Sequence, residues 1–237
     1  MTLSRRERRS GADVVTLASP HNRNALSLQL LDELLAHVRT SDGRALVLDH
    51  DGPVFCAGVD LRERAAGGDH SARLAELLRA LWAHPAPVLC RVDGPVRGGG
   101  MGLVACADIV IASPRATFAY SEVKVGVAPA LVLAVTLPKL APGPLLPWLL
   151  TGEPFGAGTA QALGLVSRLG DSLDPEIAAV AAAGPQALST VRRLALPDVS
   201  AGIAEAERLS AELFAGEEAR EGMAAFLARR PPDWARD

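Results

Sequence analysis

The sequence predicts an α/β fold, and three observations carry the prediction. Short runs rich in valine, leucine and isoleucine recur as strands at residues 14–17, 45–49, 88–92 and 108–112. Between them, apolar residues fall three and four apart, the spacing of an amphipathic helix. Beyond Gly126, β-branched residues thin out and alanine, leucine and proline dominate, so the second half reads as mostly helical. Strand, strand, helix repeats through the first half without a direct sequence repeat, as stacked units around a shared core would give.

Taken in order, residues 1–12 are charged and read as a frayed arm. The strand at 14–17 leads through a turn, PHNRNALS, to Ser27, an N-cap for a helix striped by Leu30, Leu31, Leu34, Leu35 and Val38. A strand at 45–49 enters DGPVFCAGVD. Residues 62–68 are small, charged and glycine-ended, the composition of a mobile segment. Residues 73–84 form an amphipathic helix with Leu74, Leu77, Leu78, Leu81 and Trp82 on one face, and HPAP stops it. After Gly126, helices are expected at 157–163, 174–183 and 185–196, with a short extended piece at 164–169. Residues 200–230 keep helical spacing, broken near Gly216. A tail with this much apolar surface docks on its own body or on a second subunit.

With 237 residues, 49% of them hydrophobic, the chain can bury a full core. A net charge of −3 argues against a general nucleic-acid binder. Cys56, Cys90 and Cys106 are odd in number and lack metal-ligand spacing, which suits small core residues in a reducing cytoplasm. The N-terminus lacks the apolar stretch of a secretion signal, and the most apolar run, 125–137, is too short to span a bilayer. The expectation is a cytoplasmic protein that needs no membrane, metal or cofactor.

The stretch 92–126, VDGPVRGGGMGLVACADIVIASPRATFAYSEVKVG, carries the chemistry. Gly98, Gly99 and Gly100 open a helix, where unpaired N–H groups and the positive dipole end favour a developing negative charge. The plainer role for three glycines is a close helix–strand contact. A second donor is available where the strand end 55–60, FCAGVD, turns toward a helix. The carboxylate of Glu122 ends the stretch; it would act as an acid/base if buried, or pair with Lys124 or Arg115 if not.

Four motifs in this order, FCAGVDL, VDGPVRGGGMGL, FAYSEVKVGVAP and TGEPFGAGTAQALGLV, resemble the crotonase (enoyl-CoA hydratase/isomerase) family, from about Pro20 to Arg230. The resemblance implies a spiral of ββα units over residues 1–170, holding an acyl-CoA site. A helical oligomerisation segment would follow over 171–237, in a homotrimer or hexamer. The link between Val166 and Pro185 is shorter than the family's usual one. By motif match the peptide N–H groups of Ala57 and Gly99 hold the thioester oxygen, and Glu122 delivers the proton. Arg23, Ala25, Val59, Asp60, Leu61 and Gly98 are carried over as the CoA and substrate slot. Asp60 also suits a helix cap. Arg62, Arg64, Arg97, Arg229 and Arg230 are further candidates for the CoA phosphates.

One departure stands out. Family hydratases typically carry a first glutamate three residues after the donor glycine, and here that residue is Gly102. A single carboxylate then suggests a Δ3–Δ2 isomerase. Alternatively, water is held by Tyr120, Ser121, Asp69 or His70, or the pocket only binds acyl-CoA. The stretch FAYSEVKVGVAPA is similar to bacterial hydratases of the methylglutaconyl type, which puts hydration ahead. The dinucleotide pattern G-x-G-x-x-A at 100–105 fails on two counts. The strand ends too far upstream, and Glu122 lies past the next strand rather than at its end. No G-x-S-x-G hydrolase motif is present.

Overall fold

A computed structural model describes residues 2–235. The architecture is mixed α/β. Its strands are β1 (Ser4–Arg9), β2 (Ala12–Leu17), β3 (Leu46–His50), β4 (Val88–Val92), β5 (Val96–Arg97), β6 (Ile109–Ala112), β7 (Thr117–Ala119), β8 (Phe155–Gly156) and β9 (Arg168–Leu169). The helices are α1 (Leu28–Arg39), α2 (Leu61–Ala65), α3 (His70–Trp82), α4 (Gly99–Cys106), α5 (Ala130–Thr136), α6 (Pro142–Thr151), α7 (Ala157–Ala162), α8 (Asp174–Ala182), α9 (Pro185–Ala195), α10 (Ser200–Ala215) and α11 (Glu217–Leu227).

Six strands form one sheet in the order β1-β2-β3-β4-β6-β9, parallel except for the β1–β2 pair. Both faces are covered, which is why the strands read as nearly continuous apolar runs. Val15, Leu17 and Leu48 face the main core, with the α1 stripe, α3 and Ile203 of α10. Val14, Val47, Leu89 and Ile111 face the other way, against Ile177 and Val180 of α8.

The expected arm is a strand. All six residues of β1 pair with β2, and Glu33 accepts from the N–H groups of Leu3 and Ser4 at 2.8 Å each. SRRERR shows no apolar alternation, and only Ser4 of the strand is buried; backbone pairing, Glu33 and ion pairs such as Arg8 with Asp13 hold it instead. Met1 lies outside the described residues. The segment expected to be mobile begins as the short helix α2, which Asp60 caps by accepting from the N–H groups of Arg62 and Glu63 at 3.0 and 3.4 Å. Ser27 caps α1 as expected, accepting from Leu30 N–H; such a cap is worth about 1 kcal/mol. The C-terminal helices dock on their own body. Helix α10 packs on α3 and α5, and α11 packs on α2 and the 3-10 turn Ser121–Val125.

Three short parallel rungs place the site. Leu26 bridges Val59, Cys56 bridges Val96, and β5 pairs with β7, which pairs in turn with β8. These rungs bring the end of FCAGVD, the start of α4 and the turn carrying Glu122 side by side.

Candidate active site

The glycines divide their labour. A Cβ on Gly100 would lie 2.7 Å from that of Cys56, so this glycine serves the close contact between helix and strand. Gly98 has φ +50°, a conformation side chains disfavour, and a Cβ on it would stand 3.7 Å from Glu122 Oε1. Gly99 begins α4 and faces the cleft, where a Cβ would meet Leu26, Leu74 and Val59 side chains.

Among the described residues the Gly99 N–H has no acceptor, as expected for the first residue of a helix. At the upstream strand end the amides differ in what they do. The Ala57 N–H donates to Arg23 O at 3.1 Å and is engaged within the fold. The free amide is two residues on. At the Leu26–Val59 bridge, Leu26 N–H donates to Gly58 O and Asp60 N–H donates to Leu26 O. Alternation along an extended segment turns the intervening Val59 N–H the other way, and it has no acceptor among the described residues. Motif spacing could not separate Ala57 from Val59, because the parity of the bridge depends on Leu26, thirty-odd residues away in sequence.

Glu122 lies on the 3-10 turn after β7. Neither expected partner reaches it. Lys124 pairs with Glu153 at 2.6 Å and Arg115 with Asp93 at 2.6 Å. Its Oε2 is buried without a hydrogen bond, although the residue keeps some solvent contact. Burial pushes the carboxyl from its ordinary 4.5 up to about 7. Two glycine contacts fix the turn: a Cβ on Gly126 would come within 2.5 Å of Glu218 O, and one on Gly222 within 2.4 Å of Val125 O. Backbone of α11 therefore lies directly on backbone of the Glu122 turn.

These groups line one cleft of about 380 Å³, with Arg23, Ala57, Val59, Leu61, Gly98, Gly99 and Glu122 all on its wall. Ala25 and Asp60 are not on that wall, and Asp60 serves as the cap of α2. Among the cationic candidates, Arg97 is held by Thr117 and Val96, Arg64 lies over the Phe214 ring, and Arg230 pairs with Glu221. Arg23, Arg62 and Arg229 make no ion pair among the described residues.

Comparison with known proteins identifies the family. The profile of the enoyl-CoA hydratase/isomerase family matches residues 7–237. The chain belongs to that family. A mouse mitochondrial relative, enoyl-CoA hydratase domain-containing protein 3, is 30% identical, with 98% of this chain and 84% of the relative covered. A crystal structure of an enoyl-CoA hydratase from Mycobacterium avium is 37% identical at a TM-score of 0.88, covering 99% of this chain and 100% of that one. An enoyl-CoA hydratase/isomerase from Pseudoalteromonas atlantica gives 0.86 at 25% identity, covering 98% and 100%.

Within the family frame, the place of the missing first glutamate is apolar. A Cβ on Gly102 would meet the two δ-methyl groups of Leu78 at 3.1 and 3.3 Å and Val132 at 3.7 Å. Of the groups expected to hold water instead, Tyr120 is fully buried off the cleft and Asp69 caps α3. Ser121 and His70 do line the cleft, and His70 lies 3.2 Å from both Glu63 and Gly68 O. Cys56 is sealed, its thiol pushed up to about 12 by burial, and is no nucleophile. Among the described residues no helix is long and apolar enough to cross a membrane.

Proposed function

We propose that this chain is an acyl-CoA enzyme that holds a thioester oxygen between the Val59 and Gly99 amides and moves protons with Glu122 as its one carboxylate. The observation that carries the reading is the conjunction of two unpartnered amides with a carboxyl near pKa 7 in one cleft. Amides fixed by the bridges need no reorganisation as enolate charge develops, and donors of this kind are worth about 3 kcal/mol or more each. A carboxyl near neutrality both takes and returns a proton efficiently. Arg23, Arg62 and Arg229, which make no ion pair among the described residues, are the cations offered to the CoA phosphates.

Hydration of a 2-enoyl-CoA is the first reading, supported by the names of the relatives. Isomerisation of a 3-enoyl to a 2-enoyl thioester is the second, favoured by the lack of a second carboxylate at Gly102, which faces the apolar Leu78 and Val132 side chains. A trimeric or hexameric assembly fits the exposed Leu146 and Leu150 of α6. Incubation with crotonyl-CoA and 3-hexenoyl-CoA separates the reactions: hydration bleaches the conjugated thioester absorbance of the first, and isomerisation creates it from the second. No change with either, despite tight binding, would leave a binding protein. A complex with an acyl-CoA should place the thioester oxygen about 3 Å from the Val59 and Gly99 nitrogens; an oxygen on Ala57 instead would refute the donor assignment.

A further inference from the structure

The buried wall of the cleft carries a polar feature that the thioester chemistry does not use. Ser71 of α3 and Ser210 of α10 both line the cleft, are 3% and 6% exposed, and stand 3.0 Å apart through their Oγ atoms. The cleft wall there includes the apolar Leu74, Leu131, Val132 and Phe214, while the neighbouring His70 has both ring nitrogens engaged, by Glu63 and by Gly68 O. Two hydroxyls bring two O–H donors, and their mutual bond uses one. The other has no acceptor among the described residues. A buried donor left unmade is unfavourable by more than a typical hydrogen bond contributes, so this pair is poised for an oxygen from outside the protein.

The pair's position says which part of a substrate it would meet. Leu74 reaches the thioester end, its Cδ2 lying 3.2 Å from where a Cβ on Gly99 would be. Ser71 precedes Leu74 by three residues of α3, about 4.5 Å along the axis. We infer that the Ser71–Ser210 pair selects acyl chains bearing a neutral oxygen, a hydroxyl or oxo group, a few carbons beyond the thioester. A carboxylate would bring a full charge to a wall that offers one free O–H. The inference rests on the acyl-CoA reading above and names the substrate class within it.

Binding of unreactive thioesters tests it separately from catalysis. Calorimetry would compare hexanoyl-CoA with hexanoyl-CoA hydroxylated at C4, C5 or C6. At least one hydroxylated ligand should bind about tenfold more tightly than hexanoyl-CoA. In Ser71→Ala and Ser210→Ala that ratio should fall close to one, with melting temperatures checking that both variants fold. Equal affinity for every ligand in the wild-type protein would overturn the inference alone, water then being what the hydroxyls hold. A ratio unchanged in both folded variants would overturn it too. Failure of all the thioesters to bind would overturn the acyl-CoA reading and this inference together.

Discussion

The two ends of α4 make an instructive pair. At its N-terminus the Gly99 N–H faces a cleft beside Glu122, and among the described residues neither the amide has an acceptor nor the acid a cation. At its C-terminus the Ala107 carbonyl accepts from Lys139 Nζ at 2.8 Å. Next to it, Asp108 accepts from Val88 N–H at 2.7 Å and from Arg192 Nε at 2.6 Å. Each acid sits a few ångströms from one end of the same helix, yet one is bound into the fold and the other is withheld from it. Unmet hydrogen-bonding capacity, more than residue type, is what sets the two ends apart.

That contrast is open to direct attack. Glu122→Gln should lower kcat/KM by about 10²–10⁴-fold while leaving acyl-CoA binding and the fold intact. In the wild-type enzyme kcat/KM should rise with pH through about 7 if Glu122 acts first as a base. A variant that keeps full turnover would remove Glu122 from the chemistry. Asp108→Ala should do the opposite. It leaves Arg192, only 10% exposed, without its carboxylate, which costs about 3–5 kcal/mol of stability. Its remaining folded fraction should turn over normally. Loss of activity with unchanged denaturant midpoint would break the comparison.

A smaller effect is expected from Gly222→Ala, where a Cβ would press into the Val125 backbone. Overpacking of this kind costs about 1–3 kcal/mol. Because Val125 closes the turn that carries Glu122, kcat should fall roughly tenfold more than stability loss alone explains, as displaced catalytic groups lose geometry first. If kcat is unaffected, the tail supports the fold without positioning the acid.

The sequence made the main features of this arrangement legible where a local signal existed. The α1 stripe, the Ser27 cap, the strand at 88–92 and the break at Gly216 follow from periodicity and turn chemistry over a few residues. What it concealed was set by distant partners. β1 is a charged edge whose pairing with β2 leaves no apolar pattern. That the Val59 N–H rather than the Ala57 N–H is left unpaired depends on a single bridge to Leu26, and Asp60 looked like a ligand contact as readily as the cap it is. Glu122 was legible as a position, but its lack of a cation became visible only with Lys124 on Glu153 and Arg115 on Asp93.

The smallest effect concerns what withholding Glu122 from the fold does to stability. Its carboxyl titrates at about 7 in the folded chain against an ordinary 4.5, so the folded state holds the proton more tightly than the unfolded one. Stability from this group is therefore fully present below about 4.5, declines as pH rises and is gone above about 7. Glutamine carries no such dependence. Melting temperatures of wild type and Glu122→Gln should diverge between these two values, the variant gaining, and stay parallel above. Because Glu122 keeps some contact with solvent, a gap of about 1 kcal/mol, or ~2–4 °C, is the expected size. A gap that closes with rising pH would mean that the carboxylate is stabilised in the fold by a partner, and the asymmetry between the two ends of α4 would disappear with it.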